Sequence, residues 1–105
     1  MHLERIKFER TGGFAGMRIA RDLTLDDLSE EQAHTLLELL DDLDFEELPE
    51  QMMGEESMPD QFTYVITVAT PKGEHTVVTG DASAPEKMQE LLQLLNRLAR
   101  TQKKQ

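Results

Sequence analysis

Residues 61–81 read QFTYVITVATPKGEHTVVTGD and carry the clearest strand pattern in the chain. Aromatic and β-branched side chains alternate with smaller ones from residue 62 to residue 68, which is the period of a half-buried strand. The tripeptide PKG then makes a tight turn into a second run, EHTVVTGD. The stretch therefore predicts an antiparallel hairpin, and one face of its first strand carries Phe62, Tyr64, Ile66 and Val68.

A second hairpin is predicted near the N-terminus, with strands at residues 3–10 and 17–23. Apolar side chains recur at every second position in both runs. The predicted apolar face is made by Ile6, Phe8, Met17, Ile19 and Leu23. The connection, TGGFAG at residues 11–16, has three glycines, which permit the positive φ angles that such a turn requires. Its Phe14 is either buried for folding or displayed for a partner, and the residue pattern leaves both open.

An amphipathic helix is predicted after each hairpin. Ser29 and Gln32 match a capping box, in which each side chain accepts a hydrogen bond from a free backbone N–H at the helix start. Ser83 and Glu86 repeat the pattern before the second helix. Residues 49–60, PEQMMGEESMPD, show no clear period and predict a loop. Helical spacing predicts buried stripes at Ala33, Leu36, Leu37, Leu40 and Leu43, and at Met88, Leu91, Leu92, Leu95, Leu98 and Ala99.

The element order ββαββα predicts an α+β fold in a single domain spanning residues 1–105. Antiparallel hairpins joined by amphipathic helices favour a two-layer sandwich. In this arrangement two helices cover one face of an antiparallel four-stranded sheet. The length of 105 residues is close to the commonest domain size.

The composition limits the classes of function. The chain has no cysteine, so disulfides, thiolate chemistry and a cysteine zinc site are excluded. It has no apolar stretch long enough to span a membrane, and MHLERIKFER lacks the continuous apolar run typical of a signal peptide. We therefore expect a cytoplasmic protein, with a monomer as the favoured state.

The net charge of −10 is concentrated in the middle of the chain. Residues 22–71 contain fifteen Asp and Glu and no Lys or Arg. Negative charge repels nucleic-acid phosphates and anionic membrane surfaces, so neither is an expected partner. The same charge can attract a basic protein, which makes an acidic protein-binding module one candidate function.

The sequence predicts neither catalysis nor a cofactor. An enzyme site built on His75 would need Asp81 and Glu86 brought to it by folding. The run DLDFEELPEQMM fails the calcium-loop pattern at its sixth and twelfth positions. GGFAG lacks the lysine and hydroxyl residues of a phosphate loop, and it joins two strands. We therefore expect no metal site, no cofactor and no enzymatic activity.

Four segments carry a resemblance to a known family. They are IKFERTGGFAGM at residues 6–17, DFEELP at 44–49, PDQFTYVITV at 59–68 and HTVVTGDASAP at 75–85. Together with the two leucine-rich helices they cover most of the chain, and GGFAG and residues 59–68 are the most specific. Through these segments the chain resembles the emfourin-like proteins, small bacterial inhibitors of protealysin-like metallopeptidases of the thermolysin group.

The resemblance implies an inhibitor that occludes the active-site cleft of a protealysin-like zinc metallopeptidase. Such a cleft holds zinc with one open coordination position, and an inhibitor needs a rigid segment with an apolar anchor to enter it. Three segments are candidates for this contact, and we favour the first because two strands support it. They are the hairpin tip with Gly13, Phe14 and Ala15, the segment around Leu25, and the methionine loop with Met52 and Met53. The alternative is an acidic module that recruits a basic partner without inhibiting a protease.

Overall fold

Four antiparallel strands form one sheet in the computed structural model, which describes residues 3–12, 18–51, 62–80 and 84–101. The order across the sheet is β2-β1-β3-β4, so the two predicted hairpins lie side by side with β1 and β3 in the centre. The predicted α+β fold and its element order are confirmed. The strands are β1 (Arg5–Gly12), β2 (Ile19–Leu23), β3 (Phe62–Thr70) and β4 (Gly73–Gly80).

The register of the strands collects their apolar side chains on one face. Ile6 lies opposite Leu23 on β2 and opposite Val68 on β3, and all three are buried. Phe8 and Ile66 form the next buried pair. A slip of one residue would turn this whole row towards solvent, so burial fixes the register. The predicted faces are confirmed for the described residues, while Met17 lies outside them and β2 begins at Ile19.

Two helices, α1 (Glu30–Leu43) and α2 (Glu86–Thr101), contribute buried leucines to the same hydrophobic core as this sheet face. The end of α1 lies beside the start of α2, where Lys87 Nζ is 3.5 Å from Asp42 Oδ2. Both side chains are half exposed, so this ion pair contributes little to stability. None of the described helices is long and apolar enough to cross a membrane.

The buried stripe of α2 is wider than the spacing predicted, whereas that of α1 is shifted. Leu39 and Leu94 are also buried, and both line the groove between the two helices. On α1, the predicted Ala33, Leu37 and Leu43 are only half-buried, so the prediction that they are buried is wrong. The periodicity of the sequence locates the side of each helix that faces the sheet. The contact between α1 and α2 depends instead on how the two helices pack against each other, which the periodicity does not give.

The predicted capping box at the start of α1 is confirmed. The backbone N–H of Gln32 donates to Ser29 Oγ at 3.1 Å, and the N–H of Ser29 donates to Gln32 Oε1 at 3.0 Å. Glu30 and Glu31 occupy the first turn, where negative charge suits the helix dipole. The second predicted box depends on Ser83, which lies outside the described residues.

We expect Ser29→Ala to lower the free energy of unfolding by about 1 kcal/mol, because the amide of Gln32 loses its acceptor. Ser29→Asp is the matched control, since a carboxylate accepts the same bond and suits the helix start. Urea unfolding followed by circular dichroism measures both. An equal loss in the two variants would contradict the assignment.

The end of α1 turns the chain along the outer edge of β4. Asp44 adopts a left-handed conformation with φ of 50°, and the buried Phe45 follows it in a short 3₁₀ helix (Phe45–Glu47). The carbonyl of Glu50 then accepts a 2.7 Å hydrogen bond from the N–H of Val78. We call residues 44–51 the edge segment. The predicted loop from residue 49 is thus corrected at its start, because Gln51 forms a parallel bridge with Val78.

Candidate functional site

Three chain connections meet the sheet at one end, which we call the loop end and define by Gly12, Ile19, Phe62 and Gly80. Gly12 at the end of β1 pairs with Phe62 at the start of β3. Gly80 at the end of β4 pairs with Thr63, and Ile19 at the start of β2 pairs with Arg10. The connections 13–17, 52–61 and 81–83 are therefore attached to neighbouring strand ends.

Five of the six predicted contact residues belong to these connections. Their own placement lies outside the described residues: they are Gly13, Phe14, Ala15, Met52 and Met53. Their points of attachment are described. Gly12 continues into the hairpin tip, and Gln51, which precedes the methionine loop, pairs with Val78 only two residues before Gly80. The fold thus attaches both segments at or near the loop end.

Leu25, the sixth predicted contact residue, lies at the opposite end of the sheet. It begins a 3₁₀ helix (Leu25–Asp27) directly after β2, whose last residue, Leu23, pairs with Ile6. Ile6 and Gly12 are six positions apart along β1, which corresponds to roughly 20 Å. The Leu25 side chain is half-buried and packs against the core. Leu25 therefore belongs to a candidate contact surface separate from the loop end.

The loop end is held together by a polar network that links the sheet to α2. Arg10 Nη1 donates to Asn96 Oδ1 at 2.8 Å, and Asn96 Nδ2 donates to the Tyr64 hydroxyl at 2.7 Å. The guanidinium carbon of Arg10 also lies 4.6 Å from the centre of the Phe62 ring, within the range of a cation–π contact. We call Arg10, Phe62, Tyr64 and Asn96 the Arg10 network.

Sequence reasoning did not identify the Arg10 network, although a signal was present. Arg10 falls on the same alternating face as Ile6 and Phe8, where a charged side chain needs a partner. Asn96 likewise interrupts the leucine stripe of α2. Arg10 and Asn96 both interrupt an apolar pattern because their side chains form a hydrogen bond with each other, although they are 86 residues apart in the sequence.

His75, the centre of the possible enzyme site, has a structural role. Its Nε2 lies 2.7 Å from the carbonyl oxygen of Leu48, and its ring meets the ring of Phe45 edge-on at 5.8 Å. These contacts join β4 to the edge segment. Asp81 lies outside the described residues, and Glu86 is exposed in the first turn of α2. In the part of the chain that the structure describes, no group of three or more acidic or histidine side chains could hold a metal ion.

The fold defines a small two-layer α+β domain in which three connections are attached at one end of the sheet. A family model matches residues 8–96, and the chain belongs to the Emfourin family. The resemblance found in the sequence is thereby confirmed. This is a family of protein inhibitors and not of enzymes.

The structure is also similar to that of emfourin (M4in) from Serratia proteamaculans, an M4 family peptidase inhibitor. The two sequences are 21% identical, the match covers 83% of each chain, and the TM-score is 0.43. A comparison with curated protein sequences gave no match.

Proposed function

We propose that this protein inhibits a thermolysin-type, protealysin-like zinc metallopeptidase by placing its loop end in the active-site cleft. The family assignment supports an inhibitor. The observation that favours the loop end is the attachment of two connections, the hairpin tip and the methionine loop, at or near one end of the sheet. A protein that enters a cleft must present such segments close together.

The proposed mechanism depends on rigidity. Ordering a flexible segment during binding weakens affinity, and a segment already ordered avoids that cost. The strands that carry the hairpin tip pair with each other as far as Arg10 and Ile19, and β1 pairs with β3 over its whole length. The Arg10 network also ties β1 to β3 and α2. With this support the apolar Phe14 would act as the main anchor in an apolar pocket beside the scissile bond.

The proposed target is a peptidase made in the same cell, in keeping with the expected cytoplasmic location. The acidic surface of the inhibitor would assist association with a peptidase whose cleft has a basic rim. Described residues 22–50 include twelve Asp and Glu and no Lys or Arg, and α1 has no basic residue in its last turn. This contribution would appear in the association rate and decline as salt is added.

Titration of peptidase activity tests the proposal. We expect the purified protein to abolish cleavage of a short peptide by a protealysin-like enzyme near equimolar amounts. A small hydroxamate that occupies the zinc should compete with the protein if the cleft is occluded. Full activity at a large excess, with several thermolysin-type enzymes, would contradict inhibition. Inhibition without competition would contradict occlusion of the cleft.

The acidic protein-binding module is the second candidate, and the same uncompensated charge favours it. This function requires a basic partner whose binding is weakened strongly by salt. It also requires that no peptidase is inhibited. Capture of a basic protein at low salt, with unchanged peptidase activity, would select this candidate over the inhibitor.

A further inference from the structure

Arg10 lies near the loop end, where β1, β3 and α2 are in contact. It is two residues before Gly12, the last residue of β1. Its guanidinium makes a cation–π contact with Phe62, the first residue of the neighbouring strand β3. It also donates a hydrogen bond to Asn96 on α2. A single side chain on the strand that leads into the hairpin tip thus contacts the residue at which the long connection rejoins the sheet.

The geometry of these contacts restricts movement in different directions. The cation–π contact opposes sliding of Phe62 away from the guanidinium, while the hydrogen bond to Asn96 fixes the tilt of the planar group. Asn96 is itself fixed, because its Nδ2 donates to Tyr64 of β3. Tyr64 is 2% exposed and belongs to the core. The network therefore connects the loop end to the hydrophobic core.

We propose that Arg10 is a positioning residue for inhibition, which sets the spacing between the start of the hairpin tip and the end of the long connection. This inference rests on the proposed function and extends it to a residue that need not touch the peptidase. Without the guanidinium, Gly12 and Phe62 keep their backbone pairing, but the contacts from β1 to Phe62 and Asn96 are lost. The loop end then samples more conformations, and ordering it on binding weakens inhibition.

The experiment compares Arg10→Met with Arg5→Met. Both changes remove an arginine from β1 and keep an unbranched side chain. Arg5 lies at the far end of the same strand, where its Nε is 3.2 Å from Asp22 in an exposed ion pair. Its replacement should have little effect on stability or inhibition. Arg5→Met is therefore a matched control for the loss of charge and the change of side-chain type.

Two measurements are made on each variant at a temperature where both are folded. We expect Arg10→Met to raise the inhibition constant about tenfold, whereas Arg5→Met leaves it unchanged. We also expect faster amide hydrogen exchange at residues 10–12 and 62–64 in Arg10→Met, with unchanged exchange at residues 66–69. The exchange measurement uses the free protein and does not depend on any peptidase.

A variant of Asn96, the partner of Arg10, tests the same network with a second substitution. Asn96→Ala breaks the same hydrogen bond from α2, so its effect and that of Arg10→Met should not add in the double variant. Additive effects would overturn the network as the cause. Unchanged inhibition by Arg10→Met, while the wild-type protein and Arg5→Met inhibit, would overturn only this inference. Failure of the wild-type protein to inhibit would overturn the proposed function instead, and equal exchange in both methionine variants would overturn the positioning of the loop end.

Discussion

Phe45→Ala is expected to lower the free energy of unfolding by about 3–5 kcal/mol, a large share of the roughly 5–15 kcal/mol that stabilises a typical native protein. The ring is fully buried. Alanine loses the transfer free energy of the ring and leaves a cavity that the surroundings fill only in part. The change also removes the edge-on contact with His75, which joins the edge segment to β4. Urea unfolding monitored by circular dichroism gives the difference.

Phe45→Leu provides the comparison, because leucine fills much of the same space. We expect it to cost about 1.5 kcal/mol or less. A loss of under about 1 kcal/mol for alanine would mean that Phe45 contributes far less to the core than its burial indicates. A normal loss for alanine and an equal loss for leucine would point to the ring contact with His75 rather than to the cavity.

Phe14→Ala is expected to raise the inhibition constant about 30-fold, which corresponds to about 2 kcal/mol, with the free energy of unfolding unchanged within about 0.5 kcal/mol. The expectation follows from the proposed role of Phe14 as the apolar anchor in the cleft. Inhibition is measured by titrating residual peptidase activity, and stability by urea unfolding of the free variant.

Leu25→Ala is the control at the opposite end of the sheet. Because Leu25 packs against the core, its truncation should lower the free energy of unfolding by about 1–2 kcal/mol without affecting inhibition. The reverse result would contradict the proposal: a Phe14→Ala protein that unfolds, beside a stable Leu25→Ala protein that no longer inhibits. The contact surface would then lie around Leu25 or the methionine loop.

The strands were predictable because their pattern depends on neighbouring residues alone. The alternation from Phe62 to Val68 places Tyr64 and Ile66 in the core, as the structure shows. The capping box of Ser29 and Gln32 was predictable for the same reason, since both partners lie within one helical turn. Local periods and caps carry enough information to give the fold class.

Contacts between distant parts of the chain were not predictable in this way. No short-range pattern indicates that Arg10 bonds Asn96, because the pairing exists only after α2 has packed on the sheet. The bridge between Gln51 and Val78 is similar, since Gln51 sits in a run with no strand period. For the candidate site, the hairpin tip was predicted from its glycines. The pairing of Gly12, which precedes the tip, with Phe62 at the start of β3 depends on the strand order and was not predictable.

The central position of β1 and β3 also has a consequence for the rate of folding. Gly12 pairs with Phe62 and Arg5 with Ala69, so each contact of this pair closes a loop of fifty residues or more. Each hairpin closes a much shorter loop and can form within microseconds. Association of the two hairpins is opposed by the entropy of closing the long loop between them. Docking of the N-terminal hairpin on the C-terminal one is therefore expected to be the slow step. Substitutions at the β1–β3 seam should slow refolding, while those at the outer edge of β4 should mainly speed unfolding.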